Sequence, residues 1–165
     1  RERSTRRTLG NRCIMIKITE ELRARVIAHE GIVDELYLDS LGKATVGIGH
    51  LIQPHERDRF SEGKKISREE IDELFDIDIN RAAAGADLLV EECIGVGLEL
   101  PQHIGEVIVE MVFQLGIQGV RNFKKMWKAM RVKDWKTASL EMKNSRWHSQ
   151  TPKRCESLAE IVANT

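Results

Sequence analysis

The sequence has no long hydrophobic run. Its uninterrupted apolar stretches are a few residues long, such as Cys13 to Ile16, far short of the roughly 20 residues that span a membrane as a helix. No transmembrane helix and no stable membrane insertion are expected. No hydrophobic stretch of a secretory signal follows the basic N-terminus, so a target outside the cytoplasm would be reached by another route. Cysteine is scarce and odd in number. Cys13, Cys93 and Cys155 lie far apart, which excludes a disulfide framework and a metal-ligand spacing and fits free thiols of a reducing compartment. No metal and no cofactor are expected. Internal repeats and low-complexity segments are absent too.

The chain has 165 residues, 41% apolar and 32% charged, ordinary values for a globular protein. That length suits one domain, or two small lobes sharing a helix. Net charge is zero, but its distribution is uneven. Residues 18–110 carry 9 Lys/Arg against 21 Asp/Glu, a net of −12, whereas residues 111–154 carry 11 against 2, a net of +9. A basic half points to an anionic partner such as a cell-wall polymer. The stretch Lys124, Lys125, Lys128 and Arg131 lacks the pattern of a nucleic-acid reader, so no nucleic-acid partner is expected.

Residues 1–14 are basic and without periodicity, and read as an arm or flanking sequence; Met15 would make a natural start. Residues 15–66 read as a small lobe. Thr19 can cap a helix that carries Glu20 and Glu21 in its first turn, with Leu22, Val26 and Ile27 as its stripe and Gly31 as its stop. Leu36–Leu38 and Thr45–His50 read as strands. Ser67 and Glu70 open a long helix over 67–90, roughly 33 Å, able to connect two lobes. Residues 91–165 read as a helical lobe, with helices over 104–115, 120–130, 134–144 and 152–162 and a break over 146–151. The fold class is therefore α+β and mostly helical.

Glu30 and Asp39 stand nine residues apart, and Thr45 follows six residues later. Cutting a glycosidic bond takes one protonated carboxylic acid and a second carboxylate that attacks or activates water. Unlike surroundings divide the roles, because burial favours the neutral acid and a polar setting favours the anion. Glu30 closes a helix that packs by its apolar face, and Asp39 lies where strand becomes turn. Thr45, across the hairpin, can hold a water beside Asp39. Trp127, Trp135 and Trp147 sit at helical spacings among apolar residues and read as core rather than sugar-stacking platforms. His29 points off the apolar stripe and reads as solvated.

The run Glu30-Gly31, Asp39, Thr45 and Gly47-Ile48-Gly49-His50 reproduces the pattern E-G-x7-D-x5-T-x-G-I-G-H. Met111-Val112-Phe113-Gln114-Leu115-Gly116 and Ser145-Arg146-Trp147 with Gln150-Thr151-Pro152 and Arg154 follow in order. Together they resemble the T-even-phage lysozymes, a glycoside hydrolase family, from about Met15 to Arg154. The resemblance implies a two-lobed lysozyme fold and a bacteriolytic muramidase. Such an enzyme cleaves the β-1,4 bond between N-acetylmuramic acid and N-acetylglucosamine in peptidoglycan, with inversion. It implies Glu30 as general acid, with Asp39 and Thr45 positioning the water. It implies Leu51, Phe113, Gln114, Arg146 and Gln150 in the substrate cleft, Arg154 as partner of Glu30, and His50 paired with Asp78. A phage endolysin of this kind is a monomer that accumulates in the host cytoplasm until a holin admits it to the periplasm and cell wall. Two alternatives share the scaffold. They are the lysozyme domain of a tail-associated protein or bacteriocin, and a wall-binding module without catalysis.

Overall fold

The computed structural model describes residues 16–96, 98 and 100–165. The arm over 1–14, the start at Met15 and Cys13 lie outside the described residues. Thr19 Oγ1 accepts from Leu22 N at 3.1 Å and opens helix α1, Glu20–Glu30. Leu22 and Val26 are fully buried on its inner face. Gly31 N–H donates to Ile27 O and ends the helix, leaving Glu30 as its last residue.

Three antiparallel strands follow in the order β1 (Val33–Leu38), β2 (Ala44–Gly47) and β3 (His50–Leu51). β1 begins earlier than Leu36 because Val33 pairs with Gly47 across an irregularity in the ladder. Tyr37 opposes Thr45, and Thr45 opposes Leu51. Directly opposed residues project to the same side of a sheet, so these three form a row across the hairpin. A single 3-10 turn, Pro54–Glu56, interrupts the polar loop that follows.

Helix α2, Arg68–Cys93, has Ser67 Oγ accepting from Glu70 N at 3.1 Å. It spans about 39 Å and runs past residue 90 because nothing breaks it before Gly95. It packs on β2 and β3 and on helices α3, Gln102–Arg121, and α4, Lys124–Arg131. Gly85 permits the close approach of α3: a Cβ there would stand 2.8 Å from Ile117 Cγ1. The helix expected to end near residue 115 continues to Arg121, kinked at Gly116, whose φ of 73° and ψ of 167° suit a residue without Cβ. Helix α5, Trp135–Lys143, is capped by Asp134. The expected break over 146–151 contains a five-residue helix, α6, Arg146–Gln150, because Ser145 Oγ accepts from His148 N and starts a new turn. Pro152 then opens α7, Pro152–Ala163.

The core gathers Phe75, Leu89, Ile104, Ile108, Met111 and Leu158, all essentially inaccessible. Trp127 and Trp147 belong to it, their indole N–H groups bonded to Val120 O and Gln114 Oε1, while Trp135 packs partly buried at its edge. Cys93 and Cys155 are free thiols, and burial pushes the Cys155 thiol up to about 11. Among the described residues no helix is long and apolar enough to cross a membrane.

Candidate active site

Glu30 stands at the carbonyl end of α1, where the helix dipole offers nothing to an anion. Compensation arrives from the far end of the chain. Arg154 on α7, itself buried, donates from Nη1 to Glu30 Oε1 at 2.7 Å. The other carboxylate oxygen lies against the backbone of Gly49. A Cβ on Gly49 would fall 2.7 Å from Glu30 Oε2 and 2.9 Å from its carboxyl carbon. Gly49 also has φ +65°, so the turn between β2 and β3 brings bare backbone against the carboxylate.

Asp39 sits at the end of β1 and organises the hairpin turn. Its Oδ1 accepts from Leu41 N and Lys43 N, both at 2.8 Å, and among the described residues Oδ2 has no partner. Thr45 is buried, and its Oγ1 donates to Lys43 O at 3.0 Å. The hydroxyl proton is thereby committed and the oxygen's lone pairs are left to accept. Tyr37, opposite Thr45, lies within electrostatic reach of both carboxylates. Burial first, then the negative charges of Glu30 and of Asp39, push its phenol above the ordinary value. The sequence reading missed Tyr37; its signal was the strand alternation that puts Tyr37 and Asp39 two residues apart on one face.

Comparison with known proteins meets this geometry. A family model described as Phage lysozyme matches residues 27–160, a span that contains Glu30, Asp39, Thr45 and Arg154. The chain belongs to the phage lysozyme family. It is 32% identical over 153 residues to "Probable T4-type lysozyme 2" of Dictyostelium discoideum, covering 80% of this chain and 87% of that one. It is 30% identical over 151 residues to "Probable T4-type lysozyme 1" of the same organism, covering 81% and 88%. It is 29% identical over 150 residues to "Pre-baseplate central spike protein Gp5" of Enterobacteria phage T4, covering 81% of this chain and 26% of that protein. The fold is accordingly the mostly helical α+β lysozyme fold, and the protein is a glycoside hydrolase of the lysozyme type.

The residues expected in this lysozyme's cleft fall into separate places. Leu51 and Phe113 line one crevice of about 330 Å³ with Gly49, His50, Asp78 and Gly116. Arg146 and Gln150 line a second, of about 630 Å³, with Phe123, Asn144 and Trp147. Gln114 lies between helices rather than in either. Its Oε1 accepts from Trp147 Nε1 at 2.8 Å, and its Nε2 donates to Thr151 Oγ1 at 3.2 Å. Both ends of that amide are occupied, so it ties α6 and α7 to α3.

His50 is paired with Asp78, and with more besides. Nδ1 lies 2.7 Å from Asp78 Oδ2 and Nε2 lies 3.1 Å from Glu56 Oε2. Only the imidazolium donates to both carboxylates at once. Burial pushes His50 down, but the hydrogen bonds and charges of Asp78 and then Glu56 outweigh it and hold the ring above its ordinary value. Burial pushes Glu56 up, and the Gln53 N–H and His50 outweigh that, holding it below its ordinary value. The signs define a window. The raised histidine contributes stability that is complete below about pH 6.5 and is lost as pH rises through its folded value. The lowered carboxylate contributes above its unfolded value of about 4.3 and is lost as pH falls through its folded one. His50→Gln is therefore expected to cost most between about pH 4.5 and 6.5. A loss of about 1–3 kcal/mol there follows from removing the charged donor that the two carboxylates share. Thermal unfolding of wild type and variant across pH 4–9 measures the converging difference above neutrality.

His29 departs from its expected solvated position. It turns from the last turn of α1 onto the carboxylate of Glu110 in α3, which the sequence reading did not single out.

Proposed function

We propose that this protein is a peptidoglycan muramidase that hydrolyses the β-1,4 bond between N-acetylmuramic acid and N-acetylglucosamine with inversion, and that it serves as a phage endolysin. The observation that carries the reading is the division of labour between the two carboxylates. Glu30 is tethered by Arg154 against bare backbone at the end of a helix. Asp39 spends one oxygen on its turn and keeps the other free. Protonated Glu30 delivers its proton to the glycosidic oxygen as that bond breaks. A water donating one hydrogen to Asp39 Oδ2 and the other to Thr45 Oγ1 presents its lone pair to the anomeric carbon. Leu51, which opposes Thr45 in the sheet, and Phe113 offer apolar surface to the sugar. Arg146 and Gln150, both exposed, remain available to polar groups of the polymer.

The motif set supports the endolysin role. On this reading the enzyme is a monomer that waits in the host cytoplasm until a holin opens the inner membrane to it. The similarity to one segment of the Gp5 spike protein favours a second reading, a lysozyme module of a particle-borne puncturing device. The size and location of the native protein, in the infected cytoplasm or in the virion, separates the two.

The test is digestion of purified murein followed by borohydride reduction. The proposal expects new reducing ends that yield muramicitol. Glucosaminitol ends would reassign the cleaved bond, and no new ends would leave a wall-binding module.

A further inference from the structure

Behind Glu30 lies a charge cluster that the reaction as described does not use. Glu110, on α3, is fully buried, yet it carries three basic neighbours from two other elements. Arg25 Nε of α1 donates to Oε2 at 2.6 Å. His29 Nδ1 of α1 and Arg154 Nε of α7, the latter at 3.2 Å, share Oε1. Arg154 thus bridges two carboxylates, Glu110 through Nε and Glu30 through Nη1. Glu110 contacts both guanidiniums, and among the described residues the buried Nη2 atoms of Arg25 and Arg154 find no hydrogen-bond partner. One turn earlier on α3, Glu106 is also buried but is bonded to Thr19 and Gln102 rather than to these cations. Arg25 and Arg154 bring two positive charges to the two carboxylates of Glu110 and Glu30.

We propose that Glu110 is a positioning residue for the general acid, one that locks Arg154 in place against Glu30 and neutralises part of its charge. This rests on the muramidase reading of Glu30 and deepens it. An unopposed guanidinium 2.7 Å from a carboxyl favours the anion, commonly by one to three pH units for a carboxylate beside an arginine. A buried counter-charge on the guanidinium's other edge reduces that pull.

The experiment is the pH profile of murein hydrolysis by Glu110→Gln, which keeps shape and removes the charge. The expected result is an alkaline limb of kcat moved about one pH unit lower. Activity at neutral pH then falls about tenfold and recovers at acid pH, with KM little changed. Glu110→Asp, which keeps the charge, should restore most of the limb. Arg25→Met removes a cation competing for Glu110 and guards against a Glu110→Gln variant that fails to fold; its limb should move the other way. A uniform loss at every pH with an unmoved limb in the variants that fold overturns the proposal and leaves Glu110 a structural anchor. Wild type and Glu30→Gln run beside them separate the two failures. If wild type cleaves and Glu30→Gln does not, an unmoved limb refutes only the role of Glu110; if Glu30→Gln cleaves as wild type does, the reading beneath it has failed.

Discussion

Glu30→Gln should leave outer-membrane-permeabilised Gram-negative cells turbid while wild type clears them. The amide keeps the shape and still accepts from Arg154 Nη1, but it has no proton to give. General acid catalysis is worth roughly 10² to 10⁴ in rate, and the leaving sugar oxygen has no other donor positioned beside it in this account. A loss of about a thousandfold or more is therefore expected. The fold should survive, because the exchange trades an ion pair for a hydrogen bond from the same guanidinium to an amide oxygen, a cost of about 1–2 kcal/mol. Circular dichroism and thermal melting check that the protein remains folded. Clearing at the wild-type rate would mean that the acid lies elsewhere.

Gly49→Ala should come close to that effect without touching a titratable group. The backbone at Gly49 has φ +65°, which costs an L-residue roughly 1–2 kcal/mol. The new methyl would stand 2.7 Å from Glu30 Oε2. A long side chain usually escapes such a clash cheaply. Glu30 does not, because its other oxygen is held by Arg154 at 2.7 Å and Arg154 is held in turn by Glu110. The carboxyl must shift or the turn must, and a displacement of about 1 Å in a catalytic group can cost 10²-fold. The expected outcome is a kcat about 100-fold lower, a modest change in KM and a stability loss of about 1–2 kcal/mol. Combining Gly49→Ala with Glu30→Gln should lower activity little further, because both act through one group. A rate reduced only in proportion to the unfolded fraction would show that Gly49 serves the turn alone.

Much of this was legible before any coordinates. The helix caps at Thr19 and Ser67 and the stop at Gly31 are local chemistry, read from a few adjacent residues. The periodicities that define α2, α4, α5 and α7 are of the same kind. The pairing of Glu30 with Arg154, 124 residues apart, and of His50 with Asp78 became visible only through the resemblance to a family. Composition and spacing do not encode them. The failures share a cause. α6 was missed because five residues carry too little periodicity to outweigh Ser145 and Pro152, which read as punctuation although they are helix starts. Gln114 was placed in the cleft because its motif borders it, whereas its amide is consumed by Trp147 and Thr151. Glu110 escaped notice and His29 was read as solvated because an acid on an apolar helix and a histidine beside an acid are common on surfaces. Only tertiary packing turns them into a buried cluster. Glu56 joined His50 through a 3-10 turn whose geometry the loop's polarity did not reveal.

The chemistry claimed for Glu30, Asp39 and Thr45 is tested most directly by the anomeric form of the first product. Proton NMR of the murein digest in its opening minutes, before mutarotation, reads it. Water delivered by Asp39 and Thr45 to the face opposite the leaving group converts the β bond into an α reducing end, and that is the expected signal. A β end appearing first would mean that the second carboxylate attacks the sugar and forms a covalent intermediate, which would contradict the roles assigned here to Asp39 and Thr45.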